Sequence, residues 1–440
     1  LRDVYKRQAL YGARASNGVI VVTTRRGTAG KTQLSARFNK GVGYLSLGNF
    51  RLTNGQELYD LQKAVFQRDR PTGVLNDYLP TPEANANTNW FDIAFRPATN
   101  TLAEVSASGG SDKTRFFLSG NYYQEDGFLK GTGLNRFGLR LNFSHNVSDK
   151  FRVSMNTAGT LTRGVDNSNG SLYGAYTYLP YDDPYYNGVP YNPITGAKKW
   201  YGRDNANFVY NQQFNTFKEN TLAGDVLLKA EYDLLPWLSF STTNRGQTTV
   251  YGSESSQDLR GNAAADVLGR LSNYNSRIYT LLTSNLFKFR HSFGEGHSLD
   301  GLAGYEYQTN YFQSLSATGK GIFSGLNILD ATSQPESIGG NKMDNAFQSY
   351  LMQANYGYKE KYLFTTSFRR DGSSKFGRNR RYGNFYAVGL TWIASNEAFL
   401  SNNSTLNNLK FRLSYGTTGS ASGMNGYRVD GTFDGGVSDY

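Results

Sequence analysis

The strongest constraint on what this chain can fold into is a polarity pattern with a period of two, which extended strands produce and helices do not. In 136–147, Phe137, Leu139, Leu141, Phe143 and Val147 fall on one face, with His145 as the exception, while Arg136, Arg140, Asn142, Ser144 and Asn146 fall on the other. The next stretch sets Phe151, Val153, Met155 and Leu161 against Arg152, Ser154, Asn156 and Thr160. In 222–233, Leu222, Val226, Leu228, Ala230 and Tyr232 oppose Asp225, Lys229, Glu231 and Asp233, and in 409–415, Leu409, Phe411, Leu413 and Tyr415 oppose Lys410, Arg412 and Ser414. A less clean version runs through 32–44, 101–109, 114–124, 238–250, 279–291, 298–312, 346–358, 362–369 and 384–393. That makes about thirteen strands, each near the ~9–11 residues that carry a tilted strand across a bilayer.

Composition bears on which solvent these strands meet. No stretch approaches the ~18 consecutive apolar residues of a membrane-spanning helix, and the mean hydropathy is −0.55. A barrel strand shows only every second side chain to lipid, so a low average is what it would give. Aromatic residues are 15% of the chain, with 32 Tyr and 28 Phe, more than a soluble core of this size needs. The formal charge is +11, but the bases are spread along the strands in small clusters such as Arg25-Arg26 and Lys198-Lys199. Without a basic helix, finger or arm, nucleic acid is not the expected partner. The absence of Cys rules out disulfides and thiolate metal sites.

The connections alternate in length. Short ones fall near 110–113, 148–150, 234–237, 292–297 and 359–361; long ones occupy 45–100, 125–135, 164–218, 251–278, 313–345 and 370–383. Outer-membrane barrels have short periplasmic turns and long outer loops. One connection, 394–408, is longer than that rule gives. A helix is expected at 55–67, capped by Asn54 with Glu57 completing a capping-box pair; Leu58, Leu61, Val65 and Phe66 would be its apolar stripe. No fixed repeat points to a propeller or solenoid.

Residues 11–27, YGARASNGVIVVTTRRG, resemble the end of the plug domain in the SusC/RagA family of TonB-linked outer-membrane proteins. Tyr11, Gly12, Asn17, Gly18, Val19 and Ile20 carry that plug motif. Residues 368–399 resemble the family's hairpin containing Asp-Gly-Ser-Ser, and residues 409–420 (LKFRLSYGTTGS) the strand that follows. Asn89 to Phe95 and Val105 to Ser111 are similar to its first loop and second strand. The resemblance runs from residue 9 to near the end; residues 1–8 (LRDVYKRQ) depart from the family and are set apart as a leader. It implies the plug's C-terminal end at 9–30 and, over 31–440, the N-terminal part of a large antiparallel transmembrane β-barrel. Such barrels have about 22 strands, so this sequence would be a fragment of one. The TonB box and upstream plug would lie outside it.

Other motifs weigh less. GTAGKT at Gly27 to Thr32 lacks the first glycine of a phosphate-binding loop, its place being taken by Arg25, and precedes a strand, not a helix. His145, His291 and His297 are far apart, and Asp182-Asp183 has no further spaced carboxylates, so neither set indicates catalysis or a metal. No cofactor and no enzymatic activity are expected. The most informative region is 164–218, where Tyr181, Tyr185, Tyr186, Tyr191, Trp200 and Tyr201 stand among Asn187, Asn192, Asn205, Asn207 and Asn211. Rings stack on the apolar faces of sugars and amides bond hydroxyls; the same rings could instead pack the loop on itself or anchor a partner. Arg378, Arg380 and Arg381 form a basic cluster on the loop side, facing either outer-leaflet phosphates, a partner lipoprotein or water.

The resemblance implies energised uptake of a large nutrient, a glycan or a peptide, through the cell outer membrane, with a SusD-type surface lipoprotein as lid and the TonB complex supplying energy. The alternatives are a passive porin or autotransporter barrel, and a secreted β-rich glycan-binding protein.

Overall fold

A computed structural model of the chain describes residues 25, 27–75, 79–80, 86–196, 198–202, 207–262, 264–323, 325–375, 381–400 and 408–417. The alternating stretches become one antiparallel wall of thirteen strands in chain order. They are β1 (Gly30–Gly43), β2 (Ala98–Gly110), β3 (Thr114–Asp126), β4 (Thr132–Asn146), β5 (Phe151–Asp166), β8 (Thr216–Leu235), β9 (Leu238–Gln257), β10 (Arg270–Phe293), β11 (His297–Lys320), β12 (Gln334–Tyr358), β13 (Tyr362–Ser373), β14 (Tyr382–Ile393) and β15 (Lys410–Gly416). A separate hairpin of β6 (Tyr185–Tyr186) and β7 (Val189–Pro190) lies within the long connection 167–215. Asn187 and Gly188 both have positive φ there, as a tight hairpin turn requires.

The register is regular apart from shifts at the strand ends, between Gly30 and Gln33, Asp233 and Leu235, and Thr318 and Gly319; within it, Arg140 pairs with Ser119 on one side and Ala158 on the other. A slip of one residue would exchange the two faces of the wall, and the period-two pattern forbids that. Long connections gather at one end and short turns at the other, with 394–409 the one exception.

Two expected loops are largely strand. Most of 251–278 belongs to β9 and β10, and most of 313–345 to β11 and β12. These extensions are rich in Ser, Asn, Gly and Thr on both faces, as in Ser253 to Gln257 and Ser314 to Thr318. Beyond the apolar solvent both faces are wet, so the alternation fades while the hydrogen-bond ladder continues.

Among the described residues the long-connection end carries four α-helices, α1 (Gly55–Asp69), α2 (Trp90–Ala94), α3 (Ser171–Thr177) and α4 (Phe208–Asn211). The capping box on α1 is present: Glu57 N donates to Asn54 Oδ1 at 2.8 Å and Asn54 N donates to Glu57 Oε2 at 3.0 Å. Its inward face differs from the expected stripe. Tyr59 is buried, with Leu58 beside it, whereas Leu61 and Val65 are exposed. A tyrosine and Gln62 carry the contact, so a count of aliphatic residues alone points to the wrong side.

Candidate functional site

The wall separates two chemistries. On one face, ion pairs join the neighbouring strands β5 and β8 (Arg152 to Asp233, 2.7 Å) and β8 and β9 (Arg245 to Asp225, 2.6 Å), while Arg369 of β13 pairs with Asp371 of its own strand at 2.6 Å and reaches across β12 to Glu306 of β11 at 3.0 Å. Arg369 and Asp371 are fully buried, and Ser349 Oγ accepts a further bond from Arg369 at 2.8 Å. Asn142 is buried on this same face and donates to the carbonyl of Arg25 at 2.5 Å. The segment ahead of β1 therefore lies against the polar face. Gly27 passes so close to Phe116 that a Cβ would stand 2.2 Å from its carbonyl oxygen.

The other face is apolar and exposed: Leu139, Leu222, Leu228, Leu281, Met352 and Leu413 all project from it. Rings collect on it near the short turns, as in the pairs Phe151–Tyr232, Phe240–Phe287, Phe293–His297, Tyr358–Tyr362 and Trp392–Phe411. Further along the strands a second set appears, with Tyr122–Phe137, Tyr305–Tyr350 and Tyr279–Tyr311. An apolar band bounded by two aromatic girdles is the lipid-facing surface of an outer-membrane barrel, and the opposite, charged face lines its interior. Among the described residues no helix is long and apolar enough to cross a membrane; the crossing elements here are strands.

At the long-connection end, 167–215 folds into a packed cap. Its core joins Trp200, Phe208, Tyr191 and Ala175 to Trp90, Phe91 and Ala94 of α2. Trp90 is 1% exposed; its ring meets Tyr178, Trp200 and Phe208 at centroid distances of 5.0, 6.0 and 5.5 Å, and its Nε1 donates to the Leu179 carbonyl at 2.9 Å. Asn207, fully buried, donates to the Pro184 and Tyr191 carbonyls at 2.8 and 2.9 Å and caps α4 with its Oδ1. Asp182, also buried, accepts from the Tyr201 and Gly202 amides at 2.6 and 2.8 Å. Burial pushes its carboxyl up to about 6, against those two backbone bonds. Tyr181 donates to Gln62 of α1 at 2.9 Å. Burial pushes the Tyr181 and Tyr191 phenols up to about 12 and raises Tyr201 too.

The six aromatic residues singled out in this loop thus divide. Tyr181, Tyr191 and Trp200 are buried within the cap. Tyr201 is half-buried with Lys199 Nζ 4.9 Å from its ring centroid. Tyr185 and Tyr186 stand exposed on the β6–β7 hairpin. Arg381 is exposed at the start of β14; Arg378 and Arg380 lie outside the described residues, as do Tyr11, Gly12, Asn17, Gly18, Val19 and Ile20. His145 bonds Thr114 Oγ1 at 2.7 Å and His297 bonds Tyr356 at 2.6 Å on separate strands. Among the described residues no cluster of His, Asp or Glu could hold a metal. Asp183 pairs with Lys198 at 3.3 Å rather than with a second carboxylate chelate.

No family model matches the chain. TonB-dependent receptor P3 of Formosa agariphila is 28% identical over 432 residues, covering 94% of this chain and 41% of that protein. TonB-dependent receptor SusC of Bacteroides thetaiotaomicron is 28% identical over 439 residues, covering 93% of this chain and 42% of that protein. The solved structure of the RagAB peptide transporter superposes with a TM-score of 0.82 at 22% identity, covering 94% of this chain and 50% of the solved one. The chain is similar along 93–94% of its length to TonB-dependent receptors, SusC among them, and shares its fold with the RagAB structure. It spans about two fifths of the length of the curated relatives it matches.

Within this segment, sequence reading named Asn207 only among amides that could bond hydroxyls and Trp90 only as part of 89–95, and read neither as a builder of the cap. Trp90 and Asn207 lie outside any alternating stretch, and their role depends on contacts with segments distant in sequence. A lone Trp beside an Asn cap in a long connection is the only local sign. The buried set of Arg369, Asp371, Glu306 and Ser349 was legible in part, because Asp371 opens the Asp-Gly-Ser-Ser motif.

Proposed function

We propose that the receptor containing this chain takes up a large nutrient, a glycan or a peptide, across the outer membrane, driven by the TonB complex and assisted by a SusD-type surface lipoprotein. The observation that carries this reading is the wall itself: an apolar, girdled outer face, a charged inner face, and a segment ahead of β1 lying against the inner face. A receptor with something lodged in its lumen has to move it to pass cargo, and that step requires energy. The plug motif at Tyr11, Gly12, Asn17, Gly18, Val19 and Ile20 supports such a plug. TonB would act through sequence upstream of this segment. Residues 9–30 would close the plug and 31–440 begin the barrel.

In this reading the cap on 167–215 contacts cargo or lid with its exposed rings, Tyr185, Tyr186 and the edge of Tyr201. Tyr181, Tyr191 and Trp200 hold the platform beneath them. Arg381 is exposed at this end, and with Arg378 and Arg380 beside it in sequence it would supply a basic edge suited to an acidic partner surface. Transport needs different affinities for cargo in the open and closed states, and a rigid platform with a few exposed rings provides a surface that a lid can complete.

The deciding measurement is uptake of the nutrient by whole cells with the proton gradient intact and then collapsed. Energised uptake stops when the gradient is lost or TonB is deleted. Uptake that continues would identify a passive pore instead.

A further inference from the structure

We infer that the outer face of the barrel wall carries a binding site for the phosphorylated headgroup of an outer-leaflet lipid, centred on Arg277 of β10 and Lys342 of β12. The inference rests on the outer-membrane reading above and adds a ligand to a surface that the reading leaves as bulk lipid contact.

The position follows from register. Arg277 pairs with Gln313, and Gln313 pairs with Lys342, so the three form one row across adjacent strands. The alternation places this row on the same face as Leu281 and Met352, the lipid face. Two strand spacings separate the cations, about 10 Å between backbones. A groove of about 710 Å³ runs between them, with Leu315 and Tyr279 among its walls. Gly340, opposite Leu315, has no side chain to fill it.

Height on the wall decides what fills the groove. From Phe293 at the short turn, roughly ten residues of β10 cross the hydrocarbon, which brings the strand to Thr283, one step of the pattern short of Leu281. Arg277 lies two steps of the pattern further out than Leu281, beyond Tyr279 of the second girdle. That is about 13 Å along a tilted strand, at headgroup level. Lys342 stands at the same row and lies over the Tyr311 ring, 5.6 Å from its centroid. Both cations are exposed. Asp344, two residues below Lys342, is the nearby acid on this face, and no ion pair within 4.0 Å is formed by Arg277 or Lys342 among the described residues. Cations held outward at a lipid surface, flanked by rings and above Leu281, Phe287 and Met352 on the same face, match a ligand with an anionic head and acyl chains below it. Gln313 between them adds an amide donor for a phosphate oxygen.

The test uses the full-length receptor carrying this chain, reconstituted in phosphatidylcholine nanodiscs doped with diphosphorylated lipid A, and counts retained lipid by native mass spectrometry. The receptor is expected to enrich lipid A, and the double variant Arg277→Gln with Lys342→Gln to lose about tenfold or more of that enrichment, because each base near an anionic surface contributes about one decade's worth or less of binding. Lys218→Gln, on the same face but outside the groove, is expected to leave it unchanged. Millimolar inorganic phosphate should not displace the lipid; displacement would mean that the site takes free phosphate and would overturn the lipid assignment. Folding is scored separately by heat-modifiable mobility. A double variant that inserts and still enriches lipid A overturns the site alone, whereas a receptor that fails to insert in any form overturns the barrel reading with it.

Discussion

At the scale of single residues, the wall makes neighbours in sequence behave oppositely. Leu139 is 70% exposed on the apolar face, and Ser144, on the polar face of the same strand, has no lipid to meet. An arginine near the bilayer midplane on the lipid side costs about 2–4 kcal/mol, so Leu139→Arg is expected to reduce assembly of the full-length receptor strongly and Ser144→Arg to leave it near normal, read as the heat-modifiable fraction. Asn142 would be a poor control, because it is buried and bonded to Arg25. The chain has no native thiol, so a Leu139→Cys variant reports its own surroundings. It should react with a bilayer-soluble reagent and resist a water-soluble one. Asp182 gives a second residue-scale expectation. Its folded value is raised from 3.8 to about 6 by burial, so the stability linked to it is fully present below about 4 and is lost as pH rises through about 6, by up to about 3 kcal/mol. Proteolysis of 167–215 in the intact receptor should therefore be slower at pH 5 than at pH 7.5, and Asp182→Asn should flatten that difference. A pH-independent cleavage rate in the unmodified receptor would contradict the burial argument.

At the scale of elements, the cap and the strands were legible to different degrees. Every strand of the wall overlaps an alternating stretch, because burial of one face writes itself into every second residue. Strand length was not legible: β10, β11 and β12 run far past their apolar portions, where both faces meet water and the pattern has nothing to record. The cap was legible only as a concentration of rings and amides. That Tyr191 and Trp200 point inward depends on Trp90, and that Tyr181 does so on Tyr59 of α1 and Leu79, all far away in sequence, while Tyr185 and Tyr186 point outward. Trp90 is the element-scale test. Truncating a fully buried Trp in a packed cluster costs about 3–5 kcal/mol, and its indole N–H also ties α2 to Leu179. Trp90→Ala is expected to release 167–215 from α2, making it protease-sensitive, while the barrel keeps its heat-modifiable mobility. Loss of the barrel together with the cap would show that the two fold as one unit.

At the scale of the whole molecule, the thirteen strands form a wall with two ends. β1 and β15 are not paired with one another among the described residues. Both carry finished lipid faces all the same: Leu34 and Phe38 on β1 are 78% and 68% exposed, and Leu413 and Tyr415 on β15 are 72% and 67% exposed. What they lack is partners for their outer rows of backbone N–H and C=O groups. In water those rows would be solvated. In hydrocarbon each unsatisfied group costs several kcal/mol, and an edge strand crossing the bilayer presents enough of them to outweigh the ~5–15 kcal/mol stability of an ordinary domain. The relatives, of which this chain spans about two fifths, have the length to supply the missing strands. Residues 30–417 expressed alone and refolded into liposomes are therefore expected to give no heat-modifiable, protease-resistant monomer. They should aggregate or pair edge to edge, which cross-linking between cysteines placed on β1 of one copy and β15 of another would report. In the full-length receptor the same two cysteines should each cross-link only to strands outside this segment. A resistant monomeric pore from the segment alone would require β1 to close on β15, and with it a smaller barrel whose charged interior has little room for a plug.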